Sequence, residues 1–154
     1  MEAIQRFKYS SETQLTSSLG TLLSSFAKEL VPNPQDFLTV PVPLHTRRLR
    51  ERGFSQSLLL AKVVATDLGT QLDYRSLIRI RHTRAQTGLR KEERRKNVKD
   101  AFSVTYPEII KGRKILLVDD VFTTGYTLNE CARSLKKSGA TVIICLTLAR
   151  TLVD

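Results

Sequence analysis

Two adjacent carboxylates, Asp119 and Asp120, are followed closely by three hydroxyls and a glycine, at Thr123, Thr124, Gly125 and Thr127. Like charges repel, so the acids do not bind phosphate. They accept hydrogen bonds from vicinal sugar hydroxyls and hold hydrated Mg²⁺. The threonines add hydroxyl donors to backbone N–H groups, and glycine permits positive φ and close approach of a ligand to the main chain. A ribose 5-phosphate satisfies both halves of this stretch. A helix cap needs one such residue and this stretch offers five, so capping alone does not account for it.

The flanking residues say how the stretch is held. Ile115, Leu116, Leu117 and Val118 form an unbroken apolar run, which suits a central parallel strand covered on both faces. Leu128, Cys131, Ala132 and Leu135 then recur at helical spacing. The reading is strand, polar loop, helix. In open α/β sheets ligands sit beyond the carboxyl ends of strands, and a helix start is an anion site, so the loop is expected to grip a phosphate. Neither G-x-x-x-x-G-K-[ST] nor G-x-G-x-x-G is present.

The rest of the chain supplies an α/β frame. Its 154 residues suit one domain, 1–154, with a core of its own. Leucines and other apolar residues from Leu15 to Leu30 predict a helix over about 11–30, ended by Val31-Pro32-Asn33-Pro34, with its apolar stripe on the sheet. Phe37 to Val42 is the next strand, with Pro41 and Pro43 forcing a rigid turn. The loop after it, PLHTRRLRERGFSQS, is expected beside Asp119 and Thr124 if the strands are parallel. Gly53 and Phe54 read there as a turn and a core anchor, ahead of an apolar helix at Leu58 to Leu68. An apolar run lies within Leu72 to Ile80, and Ala101 to Val104 and Thr141 to Leu148 supply further strands. The fold class is therefore α/β, an open and mainly parallel sheet flanked by helices.

Charge is concentrated. His45 to Arg52 and Arg75 to Lys99 together hold 14 of the 25 Lys and Arg but only Glu51, Glu92 and Glu93 among acids, in a chain of net charge +10. Two cationic segments in an otherwise balanced domain imply an anionic partner, a polyphosphate metabolite or a nucleic acid. Arg75 to Lys99 has no aromatic residue for base stacking, which favours a backbone contact over a single-strand groove. Segment 81–99 has the composition of a lid, with Arg84, Gln86, Thr87, Arg90 and Arg94 as candidates for closure. Cys131 and Cys145 form no ligand-spaced pair and are expected as buried thiols. No stretch approaches the ~20 apolar residues of a membrane span and MEAIQRFKYS lacks a signal-peptide layout, so a cytoplasmic location is expected.

Residues 115–127 closely resemble the phosphoribosyl pyrophosphate (PRPP) motif of type I phosphoribosyltransferases: an apolar run, two acids, an apolar residue, Thr-Thr-Gly, one residue and Thr. The wider order of VPVPLHTRRLRERGFSQS, RHTRAQTGLRKEERRKNVKDAF, KILLVDDVFTTGYTLNECARSLKKSGA and TLAR resembles the competence protein F (ComF) family within that superfamily, from about Phe7 to Arg150. The resemblance implies ribose 5-phosphate binding by Asp119, Asp120, Thr123, Thr124, Gly125, Tyr126 and Thr127. It implies pyrophosphate binding by Leu44, His45, Thr46 and Arg47, with Arg48, Arg50 and Arg52 as further guanidinium forks. Asp119, Asp120, Arg84 and Arg90 become the catalytic candidates. Mg²⁺ is the implied cofactor, carried by PRPP and faced by Asp119 and Asp120. Many family members carry a four-cysteine zinc segment that this sequence lacks, so zinc is not expected. Three functions follow: a phosphoribosyltransferase acting on an unidentified acceptor, a non-catalytic accessory of DNA uptake that contacts single-stranded DNA or uptake proteins, and a regulator that senses PRPP or a nucleotide and passes the signal to a protein partner. Transfer from an activated ribose needs no nucleophilic side chain, so the absence of a Ser-His-Asp or Cys-His constellation is no objection.

Overall fold

Residues 13–81 and 96–151 are described by a computed structural model. Four strands form one parallel sheet in the order β2-β1-β5-β6, where β1 is Phe37–Pro41, β2 Gln71–Leu72, β5 Lys114–Phe122 and β6 Val142–Arg150. A separate antiparallel pair joins β3, Leu77–Arg79, to β4, Phe102–Val104. The helices are α1 (Thr13–Leu30), α2 (Thr46–Arg52), α3 (Gln56–Leu68), α4 (Pro107–Ile110) and α5 (Tyr126–Lys137). The parallel sheet and flanking helices are those expected.

Period two along β5 divides the core. Ile115 and Leu117 face a cluster with Leu128, Cys131 and Leu135 of α5 and with Leu77 and Phe102 of the antiparallel pair. Leu116 and Val118 face the other side, with Leu60, Ala61 and Val64 of α3 and Leu23 and Ala27 of α1. All four β5 residues are fully buried, and each such side chain contributes roughly 1.5–3 kcal/mol of transfer free energy. The central strand is thus the common wall of two cores, as its unbroken apolar run required.

Four sequence expectations change. The acids were expected in a loop after Val118, but β5 continues through Asp119 and Asp120 to Phe122, because Asp119, Val121 and Phe122 pair with Thr147, Ala149 and Arg150 of β6. Residues 46–52 were expected as loop and form α2: His45 caps it and Arg, Leu and Glu are good helix formers whatever their charge. The helix before Pro32 buries a narrower stripe than its leucines suggested. Leu23 and Ala27 are buried, whereas Leu22, Phe26 and Leu30 are exposed. Cys131 is buried as expected, but Cys145 on the edge strand β6 is exposed.

Gly20 sits where α1 crosses α3. A Cβ there would lie 2.5 Å from Val63 Cβ, so the two helices meet at a distance that admits no side chain. A glycine inside a helix costs about 1 kcal/mol relative to alanine, and close packing is what it gives in return.

Candidate functional site

The carboxyl ends of β1 and β5 reach the same edge. Pro41 pairs with Val118, and the Val42 N–H donates to the Val118 carbonyl at 2.8 Å, so the 43–45 turn and Asp119 start from one level. Here the two halves inferred from sequence meet.

Asp119 is half-buried, and its Oδ1 accepts two hydrogen bonds, from the Ser57 hydroxyl at 2.8 Å and the Asp120 N–H at 2.9 Å. Burial, and then the neighbouring Asp120 carboxylate, push the Asp119 carboxyl up to about 7, against the pull of those two donors. A carboxyl held near neutrality beside a second acid is the kind of perturbed group that clusters at functional sites.

After Phe122 the chain turns through Thr123 and Thr124 to Gly125, whose φ is 75° and which stands at the N-cap of α5. A Cβ at Gly125 would fall 2.9 Å from the Phe122 ring, so this turn needs glycine on conformational and steric grounds. The N-cap position, being glycine, has no side chain with which to cap the helix start. At the same place the Thr124 hydroxyl is buried without a hydrogen-bond partner among the described residues. A buried hydroxyl costs free energy unless paired, and beside a helix N-terminus it fits an anionic oxygen. Tyr126 and Thr127 open α5, both half-buried. Phe122 is itself held, its carbonyl accepting from the Thr151 N–H at 2.9 Å and its ring carrying the Arg150 guanidinium at 5.5 Å.

Leu44 precedes the helix, His45 is its N-cap, and Thr46 and Arg47 are its first residues. His45 Nδ1 accepts from the Arg47 N–H at 3.2 Å, and the Arg47 side chain pairs with Glu51 at 3.1 Å across one exposed turn. The more enclosed arginine is Arg48, half-buried and held below the usual guanidinium range by burial and by Arg52. Arg79 on β3 is also half-buried, with its guanidinium 5.2 Å over the Phe102 ring. Burial and then Arg48 lower its pKa, while Asp119 raises it, so Arg79 lies within electrostatic range of both. Ser57 and Arg79 were not among the sequence candidates. Arg84, Gln86, Thr87, Arg90 and Arg94 lie outside the described residues. The flanks of that segment are tied together, since the Arg81 guanidinium donates to the carbonyls of Lys96, Asn97 and Lys99.

Among the described residues no group of three or more His, Cys, Asp or Glu can hold a metal. Two adjacent acids suit Mg²⁺ that keeps its waters and takes its other oxygens from a polyphosphate, rather than an all-protein cage. No helix among the described residues is long and apolar enough to cross a membrane.

Residues 55–153 match the phosphoribosyl transferase domain family. The chain is 36% identical over 151 residues to competence protein F of Haemophilus influenzae, covering 96% of this chain and 66% of that protein. It is 34% identical over 152 residues to DNA utilization protein YhgH of Salmonella typhi, covering 97% of this chain and again 66% of the relative. The chain therefore spans just under two thirds of the length of these relatives. In fold it is similar to the glutamine PRPP amidotransferase of B. subtilis, with a TM-score of 0.60 at 18% identity over 92% of this chain and 30% of that one. The family match covers more than half of the chain, including the acid pair and the Thr-Thr-Gly turn into α5, and the chain belongs to the phosphoribosyl transferase domain family.

Proposed function

We propose that the protein binds PRPP, or a closely related phosphorylated ribose, together with Mg²⁺. The ribose hydroxyls are taken by Asp119 and Asp120, and the 5-phosphate by Thr123, Thr124, Gly125, Tyr126 and Thr127. The observation that carries this reading is the buried hydroxyl of Thr124, without a hydrogen-bond partner among the described residues, at the glycine-capped start of α5 and one turn of chain from the paired acids. The name of the PRPP amidotransferase with the similar fold is consistent with it. Leu44 to Arg47 and Arg48 face a pyrophosphate group, and Mg²⁺ carried by that group offsets charge that Asp119 and Asp120 would otherwise repel. Titration calorimetry of PRPP with Mg²⁺ tests the reading: wild type gives saturable heat, Asp120→Asn loses most of it, and equal heats for the two would remove the claim.

Catalysis is the stronger form of the proposal. The bond from the ribose anomeric carbon to pyrophosphate breaks with its electron pair leaving on pyrophosphate. An acceptor lone pair forms the new bond, and the acceptor's proton passes to solvent. Arg48 and Arg79 supply fixed positive charge where the leaving group gains negative charge, which is worth most in an enclosed site. Arg84 and Arg90, on the candidate lid, would add to it. Pyrophosphate release across a panel of bases, amines and ammonia measures this, and silence with every acceptor leaves a binding protein.

A second reading draws on the names of the relatives, competence protein F and DNA utilization protein. Exposed Arg47 and Arg50 on α2 lie on the same edge as the site and fit a phosphate backbone. Filter binding of single-stranded DNA would then weaken steeply with salt, and affinity that stays flat across salt contradicts it.

A further inference from the structure

The segment Arg52-Gly53-Phe54-Ser55-Gln56-Ser57 joins α2 to α3, and the proposed function leaves it without a role. Its geometry is closely specified. Gly53 ends α2 with φ of 78°, its N–H donating to the Leu49 carbonyl at 2.8 Å. Ser55 starts α3 two residues later, its hydroxyl accepting from the Leu58 N–H at 3.3 Å. Arg52 donates to the Gln56 side-chain amide oxygen, Oε1, at 3.4 Å. Gln56 and Ser57 are then the first residues of α3, and both are buried, at 2% and 6% exposure.

Ser57 stands on the helix face that carries Leu60, Ala61 and Val64 at i+3, i+4 and i+7. Those three pack against Leu116 and Val118, the residues that lead into Asp119 on β5. The Ser57 hydroxyl is therefore held at a set distance from Asp119 by the core itself. With the Asp120 N–H it fills the two lone pairs of Oδ1, so a further donor to this carboxylate would meet Oδ2, on the side it shares with the Asp120 side chain.

We propose that Ser57 is a positioning residue for sugar recognition: by saturating Oδ1 from a core-anchored helix it fixes the Asp119 carboxylate in one rotamer and commits Oδ2 to a single ribose hydroxyl. This rests on the reading of Asp119 as a ribose contact and extends it to a residue that touches no ligand. A carboxylate without this bond rotates about χ2 and presents either oxygen, so the hydroxyl is met by a mixture of geometries. The phosphate grip of Thr123 to Thr127 is untouched, because it uses another element.

Calorimetry with ribose 5-phosphate and with inorganic phosphate on the whole chain separates the two grips. Ser57→Ala is expected to weaken ribose 5-phosphate about tenfold, roughly the loss of one well-placed hydrogen bond, and to leave inorganic phosphate within about twofold. Ser57→Thr keeps the hydroxyl and recovers most of the loss. The double variant Ser57→Ala with Asp119→Asn binds ribose 5-phosphate no worse than Asp119→Asn alone, because Ser57 acts only through that carboxylate. Equal losses for ribose 5-phosphate and inorganic phosphate, or additive losses in the double variant, overturn the proposal and leave Ser57 a packing residue. Loss without recovery in Ser57→Thr, with unchanged thermal melting, also overturns it. If wild type binds neither probe, the ribose phosphate reading itself fails and this inference with it, whereas binding by wild type and by Ser57→Ala with equal affinity sinks the inference alone.

Discussion

Two segments meet at one sheet edge and are built on different principles. The 119–127 segment works with short groups: carboxylates on a strand, hydroxyls, a glycine and backbone N–H groups, in a stretch held at one end by pairing to β6 and at the other by the start of α5. The 44–52 segment works with long cations on a seven-residue helix, where Arg47 is exposed and pairs within its own turn. Short groups on core elements lose little entropy on meeting a ligand, whereas each long side chain must be ordered from many rotamers. The first segment therefore suits selection of one sugar phosphate, and the second suits attraction and neutralisation of charge.

The sharpest way to break this contrast is Gly125→Ala. Positive φ and the Phe122 ring act together against a Cβ, so the variant is expected to lose about 2 kcal/mol of stability. PRPP affinity in calorimetry should fall by more than about tenfold as the turn shifts, and unchanged affinity would show that backbone geometry does not set the site. Asp119→Asn tests the cost of burying a charge. The folded protein holds the Asp119 proton up to about pH 7, while an unfolded chain releases it near ~3.9. Its contribution to stability is therefore complete below the unfolded value and lost as pH rises through 7. Chemical denaturation should find the variant more stable than wild type by about 1–2 kcal/mol at pH 8 and by nothing near pH 4, after allowance for solvent around a half-buried group. For the same reason PRPP affinity of wild type is expected to weaken as pH falls from 8 to 6, and a flat profile would argue against an ionised Asp119 as the sugar acceptor.

Thr124→Val sharpens the comparison from the other side. The orphaned hydroxyl contributes nothing to the empty fold, so thermal melting should hold or rise slightly, while PRPP affinity falls about tenfold if that hydroxyl meets phosphate. Arg47→Ala has the smallest expected effect. An exposed i,i+4 pair is worth about 0.3–0.5 kcal/mol, so denaturation should barely change, and any loss of PRPP or DNA binding should shrink with added salt.

What could be read from sequence followed from how local the signal is. Asp119 to Thr127 lie within one short stretch, and their residue types state their chemistry without reference to the rest of the chain. The parallel sheet was legible because apolar runs and helical spacing alternate. Ser57 was not, since its partner is 62 positions away and a serine in a helical stretch has no distinguishing mark until the helix is docked. Arg79 was hidden among ten basic residues of one segment, and only its place on β3 separates it from the others. The extension of β5 through two acids depended on β6 offering Thr147 to Arg150 as partners, a tertiary fact that overrides the low strand propensity of aspartate. Residues 46–52 show the reverse error: dense charge suggested open loop although every residue there tolerates a helix.

The bare position at Gly20 links the far side of the molecule to this chemistry. Because α1 meets α3 at Gly20 through a gap that a methyl group would overfill, a side chain there must displace α3, the helix that carries Ser57 near its start. If Ser57 positions Asp119 as proposed, a change in the helix on the far side of α3 would then reach sugar selectivity. Gly20→Ala should register in the ratio of ribose 5-phosphate to inorganic phosphate affinity as well as in the melting curve.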